Sequence, residues 1–205
     1  MGRETILEDG VKERLMASAR PLFAERGFDR ASVRDIARDA GANPAAVSYY
    51  FGGKEGLYRA VLEDAWAELE RHFGELLSEC PEPMAKIESF VRGLFAFHAA
   101  NPYMIRFINR EMADPTSCFE SVIIPHVTRV AGALRAALAE AAERGDLEKG
   151  TDPALAAVLL ASMSNYIFLV GPVARRVFLD PGPSLQKLPD AILSLFRKGV
   201  SCREA

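Results

Sequence analysis

Apolar side chains recur at three- and four-residue spacing along nearly the whole of this chain, and the two-residue alternation of a half-buried strand is nearly absent. That period gathers apolar groups on one face of a helix and gives a sheet no inward face, which restricts the chain to packing helix on helix. Val11, Leu15, Ala19, Leu22 and Phe23 trace a first helix over about residues 11 to 26, with Pro21 expected to bend it and Gly27 to end it. Leu57, Val61, Leu62, Ala65, Trp66, Leu69, Phe73 and Leu76 trace a long helix that stops before Pro81 and Pro83. Further segments cover about 84–100, 103–113, 118–144, 153–178 and 184–200, with Asn101-Pro102 and Asp114-Pro115 as breaks. With two short helices between residues 32 and 51, the expected fold is all-α with about nine helices. A three-helix N-terminal head containing a helix-turn-helix would precede a larger C-terminal bundle, with the boundary near residue 55 separating 1–55 from 56–205.

Hydrophobic residues make up 49% of the chain and charged residues 26%, the balance of a folded soluble protein. The formal net charge is -3, with ten basic against nine acidic residues over 1–60 and fifteen against nineteen over 61–205. Any nucleic-acid contact must therefore come from a local patch and not from bulk charge. Cys80, Cys118 and Cys202 are widely spaced with no C-x-x-C pair, which points away from a disulfide framework or zinc site and fits a reducing cytoplasm. Cys118, near a helix start, reads either as packing or as a thiol sensor. The opening MGRETILEDG has no apolar core, so no secretory signal is expected. Residues 154–174 carry no charge and are long enough to cross a bilayer, yet Ser162, Ser164, Asn165, Gly171 and Pro172 make a helix buried in protein the better reading. His72, His98 and His126 are far apart, none follows a carboxylate by three residues, and neither a phosphate-binding glycine loop nor a nucleophile elbow occurs. No catalytic activity, metal or cofactor is expected.

Residues 32 to 51, SVRDIARDAGANPAAVSYYF, carry the functional signal. Ser32 with Asp35 three residues on forms a capping-box variant that starts a helix, and Val33, Ile36, Ala37 and Ala40 give it one apolar face until Gly41 supplies a turn. Asn43 then caps a second helix, with Pro44 preset for its first position. Val47 and Phe51 point inward, leaving Ala45, Ala46, Ser48 and Tyr49 outward. Two short helices joined by a tight turn fit the major groove of DNA. Ser32, the tyrosine hydroxyls and Lys54 suit phosphate oxygens, while Ala46 and Ser48 sit where base edges or a thymine methyl are read. Read from spacing alone, a helical hairpin whose caps serve only stability remains equally open.

The run F23-x-x-R26-G27-F28, then S32-V-R-D-I-A, Gly41 and Y-Y-F-x-x-K-E-x-L over 49–57 resembles the DNA-binding region of the TetR family of repressors. The resemblance implies a homodimer with a DNA-binding head over 1–55 and a ligand-binding and dimerisation body over 56–205. It places Ser32 at a phosphate contact, Asn43 to Tyr49 on the recognition helix, and Tyr50 and Lys54 at further phosphate contacts. Ala45 and Ala46 stand where Gly-Thr is frequent, and Ser48 where Tyr is frequent, so no operator sequence carries over. Residues 43–58 and 110–116 further resemble the subgroup that regulates drug-tolerance and efflux genes.

In the body, Met104, Phe107, Ile108 and Glu111 share one face, which is ordinarily core. By the resemblance, a cavity for a small, largely apolar effector lies among the middle helices, with Phe95, His98, Phe107, Glu111, Met163, Tyr166 and Phe168 as candidate contacts. The same resemblance puts the dimer interface on the last two helices, at Leu155, Leu159, Leu188, Ile192 and Leu195. The reading that follows is a cytoplasmic, ligand-responsive repressor of a palindromic double-stranded DNA operator, with no membrane partner. A helical small-molecule binding protein without DNA-binding activity is the alternative.

Overall fold

In the computed structural model, which describes residues 2–178 and 185–200, the helical spacing resolves into nine α-helices among the described residues. Ser184, where the last helix was expected to begin, and Cys202 lie outside the described residues. The helices are α1 (Gly2–Arg30), α2 (Val33–Asp39), α3 (Ala45–Phe51), α4 (Lys54–Ser78), α5 (Pro83–Ala100), α6 (Pro102–Ala113), α7 (Ile124–Arg144), α8 (Pro153–Phe178) and α9 (Leu188–Val200). A π-helical turn, Phe119–Ile123, leads into α7, and a 3-10 turn, Leu185–Lys187, leads into α9.

The chain packs as two units. The first holds residues 1–68 and 102–125, so α1 to α3 and α4 as far as Glu68 pack together with α6. The second holds 69–101 and 126–205. These packing units differ from the division at residue 55. Tyr58, Val61 and Leu62 on α4 are fully or almost fully buried, and Phe23 and Phe28 of α1 hold the Tyr58 ring at 4.9 and 5.1 Å. The head therefore needs the start of α4 to complete its core.

In the first unit Leu15, Ala19 and Phe23 of α1, Ile36 and Ala37 of α2, Val47 of α3, and Met104 and Phe107 of α6 bury against one another. Helix α1 runs through Pro21 and extends past the expected stop, but its ladder is broken at Gly27, whose φ of 79° and ψ of 172° suit glycine alone. A Cβ there would also lie 2.7 Å from the Arg110 guanidinium. Arg110 of α6 needs that space, because it donates to the carbonyl of Ala24 at 3.1 Å and to that of Glu25, two groups that the broken ladder leaves open.

The second unit is built on Phe73 of α4, stacked on Phe90 of α5 at 4.5 Å, with Ile87, Val91, Leu94 and Phe97 on the same buried side of α5. Lys86 pairs with Glu140 of α7 at 3.1 Å, and Arg92 with Asp190 of α9 at 2.7 Å. Helix α8 buries Ala156, Ala157, Leu160 and Ser164, while Leu155, Val158, Leu159, Tyr166, Val173 and Val177 are exposed. Residues 153–171 of α8 and 119–144 are long and apolar enough to cross a membrane by length and composition. The polar groups near the middle of α8 are satisfied within the helix: Ser164 donates to Leu160 O at 2.8 Å and Asn165 to Ala161 O at 3.0 Å.

Candidate functional site

Local chemistry builds the helix-turn-helix. Ser32 Oγ accepts the Arg34 N–H at 3.2 Å and so takes one of the open donors at the start of α2. Only half of the expected capping box forms, since Asp35 turns to Arg26 at 3.0 Å and Arg38 at 2.6 Å. Gly41 makes the turn in the left-handed region at φ 59°. Asn43 Oδ1 then accepts the Ala45 N–H at 2.9 Å, which starts α3 as its spacing predicts. Ile36, Ala37 and Val47 are fully buried and lock the two helices together.

What remains outward is the face that a groove would meet. Asn43, Pro44, Ala45 and Ser48 are exposed, Ala46, Tyr50 and Ser32 are half-buried, and Tyr49 is 74% exposed. The open Tyr49 ring on a helix locked from behind is available to a partner. The Tyr49 and Tyr50 rings meet edge to face at 4.9 Å, which limits the rotamers of both. Lys54 is less free than the sequence implies: it donates to Asp29 O at 3.0 Å and lies 4.6 Å over the Phe28 ring. It therefore neutralises the C-terminal end of α1 as well as offering charge outward. Arg30 and Arg34 are exposed and, among the described residues, carry no ion pair. They were absent from the expected contacts, and their signal was two basic residues flanking Ser32.

The seven expected effector contacts separate. Phe95 and His98 of α5 meet Phe168 of α8 with ring centroids at 5.0 and 4.6 Å. Phe107 and Glu111 belong to the first unit instead, where Phe107 lies 6.3 Å from the Tyr58 ring and Glu111 Oε1 accepts from the Tyr58 hydroxyl at 2.6 Å. Met163 and Tyr166 lie on the exposed side of α8, at 38% and 62% exposure. Position along α8 decides this, because Phe168 is two residues and about 200° around the helix from Tyr166.

His98 stands out within the group that does assemble. Its ring is 4% exposed and neither nitrogen has a hydrogen-bond partner, an arrangement that costs stability and is rare unless something else supplies the partner. Burial pushes the imidazole down from 6.5 to about 4, opposed in part by the neighbouring Asn165 side chain, so the ring is neutral at pH 7. Between these two values an unfolded chain takes up a proton that the folded chain refuses, so stability falls as pH drops from 6.5 towards 4. The full effect is about 3 kcal/mol. His98→Phe is expected to flatten this part of the melting-temperature profile relative to wild type, and parallel profiles from pH 7 to pH 4.5 would contradict it.

Cys118 is fully buried, and that burial pushes its thiol pKa up, the opposite of what a reactive thiolate requires. Of the expected interface residues, Leu155, Leu159 and Leu195 are 65%, 63% and 66% exposed, whereas Leu188 is half-buried. Ile192 is 6% exposed within its own chain, so it serves the core of the second unit and is not free to meet a partner. In α9 it lies on the same face as Phe196, which also packs inward.

Comparison with known proteins agrees with this geometry. Residues 15–61 match the family described as bacterial regulatory proteins, tetR family. Over 151 residues the chain is 32% identical to the HTH-type transcriptional dual regulator CecR of Shigella flexneri, covering 63% of this chain and 66%, just under two thirds, of that relative. It is 26% identical to the HTH-type transcriptional repressor SCO4008 of Streptomyces coelicolor over 94% of this chain and 96% of the relative. In fold it is similar to the transcriptional regulator FadR from Bacillus subtilis in complex with stearoyl-CoA, with a TM-score of 0.76 at 18% identity over 91% of this chain and 98% of the other. The helix-turn-helix of residues 32–51 thus sits inside the matched region, and the chain belongs to the TetR family of bacterial regulatory proteins.

Proposed function

We propose that this chain is a cytoplasmic, ligand-responsive transcriptional regulator, a repressor that holds a palindromic operator as a homodimer and is released by a small, largely apolar effector. The observation that carries the reading is the solvent-facing side of α3, with Tyr49 74% exposed on a helix locked from behind by Val47 and Ile36. Residues 1–55 would carry the DNA contacts, with Ser32, Tyr50, Lys54, Arg30 and Arg34 on phosphates and Asn43 to Tyr49 towards the bases. Residues 56–205 would carry the effector and the second copy. Phe95, His98 and Phe168 are the best supported effector contacts, since a neutral, unpartnered imidazole against the Phe168 ring, which itself meets Phe95, suits an apolar molecule with one hydrogen-bonding group. That FadR holds stearoyl-CoA supports a ligand with a substantial apolar part within this fold. Release requires the effector to bind the DNA-incompetent arrangement more tightly than the competent one.

An electrophoretic mobility shift on DNA upstream of the gene tests the reading, with affinity expected to fall steeply as salt rises. Arg34→Ala is expected to weaken every sequence alike and reduce the salt slope by about one, whereas Tyr49→Ala is expected to change preference among operators. Lys54→Ala is a less clean probe, because it also releases the end of α1. Absence of any salt-sensitive shift, together with retained small-molecule binding, would favour a binding protein without DNA activity.

A further inference from the structure

The outward face of α3 lacks the side chains with which proteins most often read bases by hydrogen bonding. Guanine is paired by a two-pronged Arg or Lys, and adenine by a two-pronged Asn or Gln. Helix α3 is AAVSYYF and holds none of these. The nearest amide, Asn43, lies just before the helix and spends its oxygen on the Ala45 N–H. Arg30, Arg34 and Arg38 belong to α1 and α2 or the link between them, where they flank the reading helix instead of lying along it.

What the face does offer is carbon. Ala45 and Tyr49 lie one turn apart on the same side, with Ala46 beside them at the i to i+3 spacing of Tyr49. Ala45 is exposed, Ala46 half-buried and Tyr49 74% exposed, the ring steadied edge to face on Tyr50. Two methyl groups give a close approach of the helix backbone, and the aromatic ring extends the apolar strip by one turn. Ser48 adds a single hydroxyl, which satisfies either a donor or an acceptor and so discriminates weakly. In the major groove the apolar feature of a base edge is the C5 methyl of thymine.

We infer that α3 selects its operator by packing Ala45, Ala46 and Tyr49 against thymine methyl groups, while the unpaired Arg30 and Arg34 supply affinity through phosphates without regard to sequence. The inference rests on the DNA-binding reading above and specifies the chemistry of the half-site: thymine at the positions under α3, and no guanine read through its N7.

The test uses the full-length wild-type protein and its own preferred duplex, enriched from a random-sequence pool. Each thymine of that duplex is replaced in turn by deoxyuridine, which removes only the C5 methyl, and each guanine by 7-deazaguanine, which removes only the N7 acceptor. Deoxyuridine is expected to cost about fourfold in affinity for each contacted methyl, at two or more positions in each half-site. 7-Deazaguanine is expected to change affinity by less than about twofold at every position. Tyr49→Ala, at a site too exposed to disturb the fold, is expected to abolish the deoxyuridine penalty at one position in each half-site, and Tyr49→Phe to retain it. Sensitivity to 7-deazaguanine with indifference to deoxyuridine overturns the methyl readout and leaves DNA binding standing. A pool that yields no enriched sequence overturns the DNA-binding reading and this inference together.

Discussion

Replacing Glu111 by alanine is expected to lower the unfolding free energy by about 3 to 5 kcal/mol, the cost of stranding two buried donors and opening a cavity. The Glu111 side chain is 1% exposed, and its carboxylate accepts the Tyr58 hydroxyl at 2.6 Å, the Thr116 N–H at 3.0 Å and the Thr116 hydroxyl at 2.9 Å. All of these are donors to the two carboxylate oxygens. Thr116 Oγ1 in turn accepts the Cys118 N–H at 3.1 Å, which fixes the backbone at the entry to the π-helical turn. Burial and the adjacent carboxylate hold the Tyr58 hydroxyl well above the ordinary tyrosine range, so it remains a donor at any working pH. Alanine would strand the Tyr58 hydroxyl and the Thr116 N–H without partners and leave a cavity. Tyr58→Phe, which removes one donor and keeps the ring between Phe23 and Phe107, is expected to cost only about 1 to 2 kcal/mol. Urea unfolding with an unchanged denaturant slope measures both. A Glu111→Ala loss below that of Tyr58→Phe would mean that the carboxylate contributes nothing net.

Leu159→Arg is expected to convert a dimer into a monomer at micromolar concentration and to weaken operator binding at least a hundredfold. Leu155, Val158, Leu159, Tyr166, Leu169, Val173 and Val177 form an exposed apolar band along α8, each more than half exposed. In the proposed homodimer this band would be the surface that the second copy covers. In a two-fold interface one substitution acts twice, placing two unpaired guanidinium groups in apolar surroundings. Because Leu159 is 63% exposed in the single chain, the variant should still fold, with unchanged helical content. Ile192→Arg provides the contrast. Ile192 is 6% exposed within its own chain, so its substitution should unfold the second unit and not merely dissociate it. Sedimentation equilibrium separates the two outcomes, and a Leu159→Arg protein that remains dimeric would place the interface elsewhere.

Much of the fold was legible because helices start, stop and face inward for local reasons. Pro83 and Pro102 stand at the first positions of α5 and α6, and Ser32 and Asn43 hold the starts of α2 and α3. Gly27 interrupts α1 at the point where its conformational freedom was expected to be used, although helical turns resume as far as Arg30. The outward face of α3 was legible for the same reason: Val47 turned inward leaves its neighbours no other direction.

By itself, then, the sequence determined the helices and the outward face of α3, because caps and apolar spacing act within one or two turns. Only the tertiary structure decided that Glu111 meets Tyr58, 53 residues away. It also decided that Lys54 is held by Asp29 and Phe28, and that Met163 and Tyr166 face outward while His98 meets Phe168 inside. A helix that is apolar most of the way round has no inward side of its own, and a long charged side chain reaches whichever carbonyl is brought within its length. Both are settled by which helices pack together, and no short-range pattern encodes that choice.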